Sequence, residues 1–241
     1  MPNGRSIRED ASRFVRLLQQ RRMMDLWHFT PLSHVPCIFF HGALFGIEEL
    51  NRRGLIVPGR ESREGDISKG VGNVVKTSTI PYWNMLGKDM RDGIPHVLIR
   101  YATDPILWAD TTFGDRNVWE NGWVQGNSYE FAEQYVFVRS GQYAGSSPPE
   151  IYIERELPLG QLTKSLYPYL GDETRLLEGC LNRLGIACPV RVLTAGERSW
   201  PFPDRCHDDY IRFREGRLAR VEEYFGALTI ESLGRGVEID P

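Results

Sequence analysis

The amino-acid sequence predicts an α+β protein. Six short runs rich in β-branched or aromatic residues have the composition of strands, and segments with helical apolar spacing lie between some of them. The two kinds of segment do not alternate with the regular rhythm of parallel βαβ units. A chain of 241 residues with 41% hydrophobic residues can form one sizeable core, so we expect a single domain over residues 1–241.

The first part of the chain predicts a helix, a short strand and a second helix. Residues 6–22 carry apolar side chains at helical spacing, with a capping box that starts at Ser6. A strand at 26–29 leads into a helix over 32–41. Gly42 would end that helix, because glycine readily adopts the left-handed conformation of a C-cap.

The rest of the chain predicts strands, a long loop and two helices. The loop, residues 51–73, is rich in glycine and charge, and loops of this length are usually functional or disordered. The strands are predicted at 74–79, 96–101, 135–139, 151–155 and 189–194. A helix over 172–183 would end at Gly185, and a tail helix over 208–225 would be interrupted by Gly216.

The charge balance argues against a generally basic nucleic-acid-binding surface. The formal net charge is -3, from 29 Lys+Arg against 32 Asp+Glu. The distribution is uneven, because residues 1–24 hold six arginines against Glu9 and Asp10, a local balance of +4. A local basic patch that contacts phosphates therefore stays compatible with the acidic average.

Cysteine spacing and hydropathy narrow the class of protein further. The four cysteines form no CxxC pair, which argues against a metal site and favours reduced thiols. The N-terminus is charged instead of apolar, and no apolar run reaches the ~18 residues that a membrane span needs. These features predict a cytoplasmic protein without a membrane partner.

Several common catalytic motifs are missing from the sequence. It contains no GxGxxG, GxxxxGK[ST], HExxH or GxSxG pattern, which argues against a P-loop NTPase, a zincin and an α/β-hydrolase. His28 and Thr30 lie two apart on a predicted strand, so both project from one face and can hold a ribose hydroxyl or an amide. Glu150 begins another strand, where its carboxylate can reach into a cleft. Taken alone, a histidine on a strand is more often structural, and a glutamate beside two prolines is normally just solvated.

Four sequence blocks, taken together and in order, resemble the DarT-like ADP-ribosyltransferases. The blocks are HFTPLSHVPCIFFHGAL at 28–44, NVVKTSTIPYWNMLGK at 73–88, HVLIRYATDPILWADTTFGDRNVW at 96–119 and PEIYI at 149–153. His34 stands where the family often has Asn, and Pro149 replaces the usual Ala before the glutamate. The resemblance covers a core of residues 26–165, and the C-terminal extension 166–241 has no counterpart.

The resemblance implies a fold, an activity and partners. The fold is a core of two small, mainly antiparallel sheets around an NAD cleft, with N- and C-terminal helices. The activity is transfer of ADP-ribose from NAD, a substrate, to a base in single-stranded DNA. Members of the family are toxins, so a macrodomain-type antitoxin is the implied protein partner.

The resemblance also implies site residues. Glu150 takes the catalytic position, and Arg63 is the expected site arginine, with Arg60 as its rival. The residues expected to contact NAD are His28, Thr30, His34, Ser78, Tyr82 and Met85. Those expected to contact DNA are Arg13, Arg16, Arg52 and Arg53 along the backbone, and Tyr82, Trp119 and Trp123 as stacking groups.

Three alternatives stay open from the sequence. A protein arginine ADP-ribosyltransferase would use Arg63, the hydroxyl strand Thr77–Thr79 and the Glu154-Arg155-Glu156 triplet. An NAD-binding effector with altered catalysis is suggested by the departures at His34 and Pro149. An RNA 2′-phosphotransferase shares this kind of NAD site, although the sequence offers no clearly basic phosphate pocket for it.

Overall fold

The structure is a computed structural model, and it describes residues 4–55, 66–81, 91–138, 148–192 and 204–234. Its helices are α1 (Ala11–Arg21), α2 (Val35–His41), α3 (Ile47–Arg52), α4 (Gly171–Arg183), α5 (Asp204–Ala227) and α6 (Ile230–Gly234). Its strands are β1 (Leu26–Pro31), β2 (Ala43–Phe45), β3 (Val74–Thr77), β4 (His96–Tyr101), β5 (Thr112–Gly114), β6 (Gln125–Gly126), β7 (Glu150–Glu154), β8 (Glu156–Pro158) and β9 (Thr163–Pro168). No helix within these ranges is long and apolar enough to cross a membrane.

Two small antiparallel sheets form the centre of the fold, which confirms the predicted α+β class. One sheet has the strand order β1-β4-β9 and the other β3-β7-β5-β6, while β2 and β8 form a separate two-stranded ladder. The sheets meet where Trp27 of β1 bridges Ser78, with N–H···O distances of 2.7 and 2.9 Å. This junction sets β1 beside β3, the edge strand of the second sheet.

Buried apolar runs explain why β4 and β7 are the inner strands. Val97, Leu98 and Ile99 are fully buried in β4, as are Ile151, Tyr152 and Ile153 in β7. A continuous apolar run of this length is typical of a strand covered on both faces. The paired strands therefore provide a rigid base for side chains at their ends.

The N-terminal helix begins later than predicted, at Ala11 instead of residue 6. Residues 6–8 are extended, because the Arg8 amide donates to the Leu107 carbonyl and the Ala109 amide to the Ser6 carbonyl. Arg5 extends this strap, and its guanidinium donates to the carbonyls of Glu154 (2.7 Å) and Glu156 (2.9 Å). The predicted capping box is wrong, because these tertiary contacts hold Ser6 in the strap.

Three further predictions differ from the structure. Of the segment predicted as a strand at 135–139, residues 135–136 end a π-helix, Ala132–Val136, which follows a helical turn capped by the Ser128 hydroxyl, residues 137–138 are not in a strand, and residue 139 lies outside the described residues. The strand predicted at 189–194 is reduced, within the described residues, to one bridge between Val190 and Leu166. Gly216 does not interrupt α5, because packing of Val221 and Phe225 on the core outweighs the low helix propensity of one glycine.

The helix ends at Gly42 and Gly185 are confirmed, with φ of 72° and 70°.

The described helices α4 and α5, which follow β9, pack against the β1-β4-β9 sheet and the core beside it. The boundary expected at 165/166 falls inside β9, whose residues pair with β4. Beyond β9, Glu173 of α4 is fully buried and accepts hydrogen bonds from the amides of Tyr169 and Leu170 and from the Tyr210 hydroxyl of α5. This carboxylate joins β9, α4 and α5.

The buried Glu173 predicts a pH dependence of stability. Burial raises its pKa from 4.5 to about 7, against the opposing hydrogen bonds. Between pH 4.5 and 7 the carboxyl is therefore protonated in the folded state and ionised in the unfolded state. Because the folded state binds the extra proton, the free energy of unfolding falls as the pH rises through this window, at up to ~1.4 kcal/mol per pH unit. Urea unfolding of Glu173→Gln should show a smaller fall than the parent between pH 4.5 and 7. Parallel pH dependences would contradict this assignment.

Candidate active site

Glu150 lies at the junction of three strands and is almost fully buried. It begins β7 and is 3% exposed. Gly114 of β5 is its partner on one side, and the β3–β7 register brings Ser78 next to it on the other, one step beyond the last ladder pair Thr77–Ile151. The carboxylate is therefore placed by backbone pairing and not by a loose loop.

Two hydrogen bonds hold this carboxylate through one of its oxygens. The Tyr152 hydroxyl donates to Oε2 at 2.8 Å, and the Val118 amide donates to the same oxygen at 3.1 Å. The indole N–H of Trp123 donates in turn to the Tyr152 hydroxyl at 2.9 Å. A carboxylate fixed in this way presents its other oxygen in a defined direction.

The electrostatics of Glu150 are a balance between burial and compensating groups. Burial raises its pKa, while the Lys76 ammonium and the hydrogen bonds from Tyr152 and Val118 lower it. Lys76 is itself paired with the buried Asp66 at 2.6 Å. A buried carboxyl with a raised pKa and a cation nearby is a common arrangement in catalytic sites.

His28 contacts β3, and Ser78, which follows β3, lies next to Glu150. The His28 imidazole Nδ1 is 2.8 Å from the Lys76 carbonyl, two residues before Ser78. Thr30 is buried further along β1, and His34 lies in the helical turn Leu32–His34 that follows. The sheet junction thus brings part of the predicted NAD-binding set together with Glu150.

Four of the predicted site residues lie outside the described residues. They are Arg63, its rival Arg60, Tyr82 and Met85. Their roles stay as predictions from the family resemblance.

The residues predicted to contact DNA have different environments. Trp119 is 48% exposed, next to the Val118 amide that binds Glu150, and the Lys69 ammonium lies 4.8 Å from its ring centroid. Trp123 is half-buried with its N–H donated to Tyr152. Of the arginines, Arg13 pairs with Glu130, and Arg52 and Arg53 pair with Glu49.

The Glu-x-Glu triplet lies away from Glu150. Glu154 ends β7 and pairs with Val74, the first residue of β3. Ser78, which lies next to Glu150, follows the last residue of β3. With ~3.3 Å per strand residue, Glu154 is about 13 Å along the strand from Glu150. Glu156 begins β8 and pairs with Arg53 at 3.0 Å.

Sequence reasoning did not identify Tyr152, Gly114 or the Val118 amide as parts of the site. Tyr152 follows Glu150 by two residues on a strand, and this spacing alone places both on one face. Gly114 and Val118 are separated from Glu150 by more than 30 residues. Their contribution depends on the pairing of β5 with β7, which has no local signal.

Comparison with solved structures finds similar folds. No family model and no curated protein matches the sequence. The structure of Thermus sp. 2.9 DarT in complex with NAD+ superposes with a TM-score of 0.54 at 12% identity, over 71% of this chain and 96% of that chain. The same DarT in complex with ADP-ribosylated ssDNA gives a TM-score of 0.52 at 11% identity, over 71% and 95%.

A third structure is similar over part of its length. Thermosipho africanus DarTG in complex with ADP-ribose gives a TM-score of 0.51 at 11% identity, over 69% of this chain and 49% of that chain. At these identities the comparison establishes the fold. The chain therefore has the fold of the DarT structures, the group that its sequence motifs resemble.

Proposed function

We propose that this chain is an ADP-ribosyltransferase that uses NAD as substrate and modifies a base of single-stranded DNA. The observation that carries the proposal is the buried Glu150 carboxylate at the start of β7, beside Ser78, which bridges to Trp27 of β1. The DarT structures that share this fold were solved with NAD+ and with ADP-ribosylated ssDNA. The sequence blocks that hold His28 and Glu150 resemble the same family.

The reaction exchanges one bond at the anomeric carbon of the nicotinamide ribose. The glycosidic bond breaks and its electron pair leaves with nicotinamide, while an atom of the DNA base bonds to the same carbon. The base loses a proton, which the ionised Glu150 accepts, and the negative carboxylate stabilises the oxocarbenium-like ribose before attack. His28, Thr30, His34 and Ser78 would hold NAD, and Arg63 would neutralise its pyrophosphate or assist the proton transfer.

The acceptor would be an unpaired base, since attack needs a base edge that is free of pairing. Trp119 is the described aromatic side chain best suited to stack on such a base. Its ring is about half exposed, and its backbone amide donates to the Asn117 side chain at 2.9 Å, next to the Val118–Glu150 contact. A base on this ring would contact the loop whose Val118 amide binds Glu150.

Trp119→Ala should therefore weaken DNA modification. Base–aromatic stacking contributes ~1–3 kcal/mol, so we expect the KM for a single-stranded oligonucleotide to rise by about tenfold. The control is Phe213→Ala, which removes a ring of similar exposure, 49%, from α5. Equal KM values for Trp119→Ala and the parent would remove Trp119 from the acceptor site.

The proposed reaction can be tested directly with labelled NAD. The protein is incubated with NAD and short homopolymeric oligonucleotides, and the products are weighed by mass spectrometry. An added ADP-ribose on one base type is the expected result. In parallel incubations, label that appears only on an added protein extract would favour the arginine-directed alternative. Loss of phosphate from 2′-phosphorylated RNA, with formation of a labelled phosphate ester of ADP-ribose, would favour the phosphotransferase.

Geometry favours the DNA-directed reaction over the arginine-directed alternative. Glu154 and Glu156 would have to act with the Thr77–Thr79 strand, but the register sets that strand against Ile151 and Glu150. Glu156 is also engaged by Arg53. By the same resemblance, the cellular role would be that of a toxin, with a macrodomain-type antitoxin as partner.

A further inference from the structure

The segment between β5 and β6, residues 115–124, forms a loop that is closed on itself. The Asp115 carboxylate accepts from the Val124 amide at 3.0 Å, and the Asp115 amide donates to the Val124 carbonyl at 3.2 Å. Arg116 pairs with the same buried carboxylate at 2.6 Å. The two ends of the loop are thereby fixed to each other.

This 115–124 loop supplies two donors, and both act on Glu150 Oε2. The Val118 amide binds that oxygen directly, and the Trp123 indole N–H binds it through the Tyr152 hydroxyl. Within the part of the chain that the structure describes, no group donates to Oε1. The loop therefore engages one oxygen of the carboxylate, and both of its donors act there.

Gly114 provides the space for this arrangement. A Cβ at this position would lie 2.6 Å from the Tyr152 hydroxyl oxygen and 2.7 Å from Trp123 Nε1. Real Cβ atoms do not approach other atoms so closely, so any side chain here would displace the two donors. The absence of a side chain on the strand residue that pairs with Glu150 is thus a requirement of the hydrogen-bond chain.

We propose that the 115–124 loop is the positioning device of Glu150, with Trp123 and Tyr152 as a hydrogen-bond relay that orients the carboxylate and keeps it ionised. The proposal depends on the proposed function only for the identity of the substrate. It assigns a role to the Phe-x-Asp-x-Asn segment at 113–117, since Asp115 closes the loop that carries both donors. Tyr152 and Trp123 are positioning residues, because they act through Glu150.

Other charged groups face the same carboxylate and set the background for a test. Lys76 of β3 stabilises its ionised form, and Asp66, which pairs with Lys76, opposes it. The negative charge of Asp115 acts on the Tyr152 hydroxyl, and the Lys69 ammonium donates to the Val118 carbonyl at 2.7 Å. Removal of the Tyr152 hydroxyl leaves all four in place, so the pKa of Glu150 should rise through loss of one hydrogen bond.

The test is the pH profile of NAD turnover in Tyr152→Phe. Loss of a hydrogen bond to a carboxylate raises the pKa of that carboxyl by about one unit. The acidic limb of the profile should therefore move to higher pH by about one unit. Trp123→Phe should move it in the same direction by less. The control Tyr167→Phe removes a buried hydroxyl in the other sheet, which accepts from Arg100 at 3.3 Å, and should leave the limb in place.

A second readout keeps the proposal independent of enzyme activity. In protein labelled with ¹³C at glutamate carboxyls, the Glu150 resonance, assigned by its loss in Glu150→Gln, is titrated in the parent and in Tyr152→Phe. A higher titration midpoint in folded Tyr152→Phe supports the relay even if no NAD turnover is found, and only the proposed function then fails. Unchanged midpoints in both relay variants would overturn the proposal, and if Tyr152→Phe does not fold, Trp123→Phe alone decides the outcome.

Discussion

Glu150→Gln is expected to reduce NAD turnover by about 10²- to 10⁴-fold, the usual contribution of a positioned general base. The amide has no negative charge and cannot take the proton of an attacking base. Its oxygen can still accept from Tyr152 and Val118, so the packing around the start of β7 should persist. Nicotinamide release, followed by chromatography, measures the effect.

The matched control is Glu154→Gln on the same strand. The Glu154 carboxylate lies at the opposite end of β7, where it accepts from the Asn73 side chain at 2.7 Å. Turnover should stay near the parent value in this variant. If Glu154→Gln loses turnover and Glu150→Gln keeps it, the arginine-directed alternative replaces the proposed one, and unchanged turnover in both would show that neither glutamate is catalytic.

Tyr210→Ala is expected to lower the free energy of unfolding by about 3–5 kcal/mol, as for other large aromatic residues in cores. The Tyr210 ring is fully buried against Tyr169, with centroids 5.4 Å apart, and its hydroxyl donates to Glu173. The substitution leaves a cavity between α5 and the β1-β4-β9 sheet and removes a donor from a buried carboxylate. Urea unfolding at fixed pH measures the loss.

Tyr210→Phe separates the two contributions in that experiment. The ring stays and only the donor to Glu173 is lost, so a smaller effect of about 1.5–3 kcal/mol is expected. A loss below about 1 kcal/mol in Tyr210→Ala would contradict the packing of α5 on the sheet. It would then favour an independent C-terminal extension over the single domain expected for residues 1–241.

Local signals predicted much of the fold. The position of β4 and the glycine caps of α2 and α4 follow from composition and backbone preference, and the structure agrees. The start of α1 does not follow from local signals. Ser6 has the right neighbours for a helix cap, but hydrogen bonds to the chain around Leu107 and Ala109 hold it in an extended strap. Contacts between residues about 100 positions apart leave no signal in the local sequence.

The candidate site also has a part that local sequence signals predict and a part that depends on contacts between distant residues. Glu150 was found because it precedes an apolar strand in a block with a family resemblance, and the side-chain alternation of that strand also contains Tyr152. The sequence predicts Trp123 as a stacking group, and the structure adds the hydrogen bond from its indole N–H to Tyr152, which has no local signal. Only the pairing of β5 with β7 brings the 115–124 loop to Glu150, and no periodicity along the sequence reports which strands pair.

The strap formed by residues 5–8 has a consequence for the order of events during synthesis. Arg5 binds the carbonyls of Glu154 and Glu156, 149 and 151 residues further along the chain. These contacts join residues about 150 positions apart, and such non-local closure is slow compared with local helix formation. During synthesis, residues 5–8 can therefore dock only after Glu154 and Glu156 have been made, which is after the strand that carries Glu150.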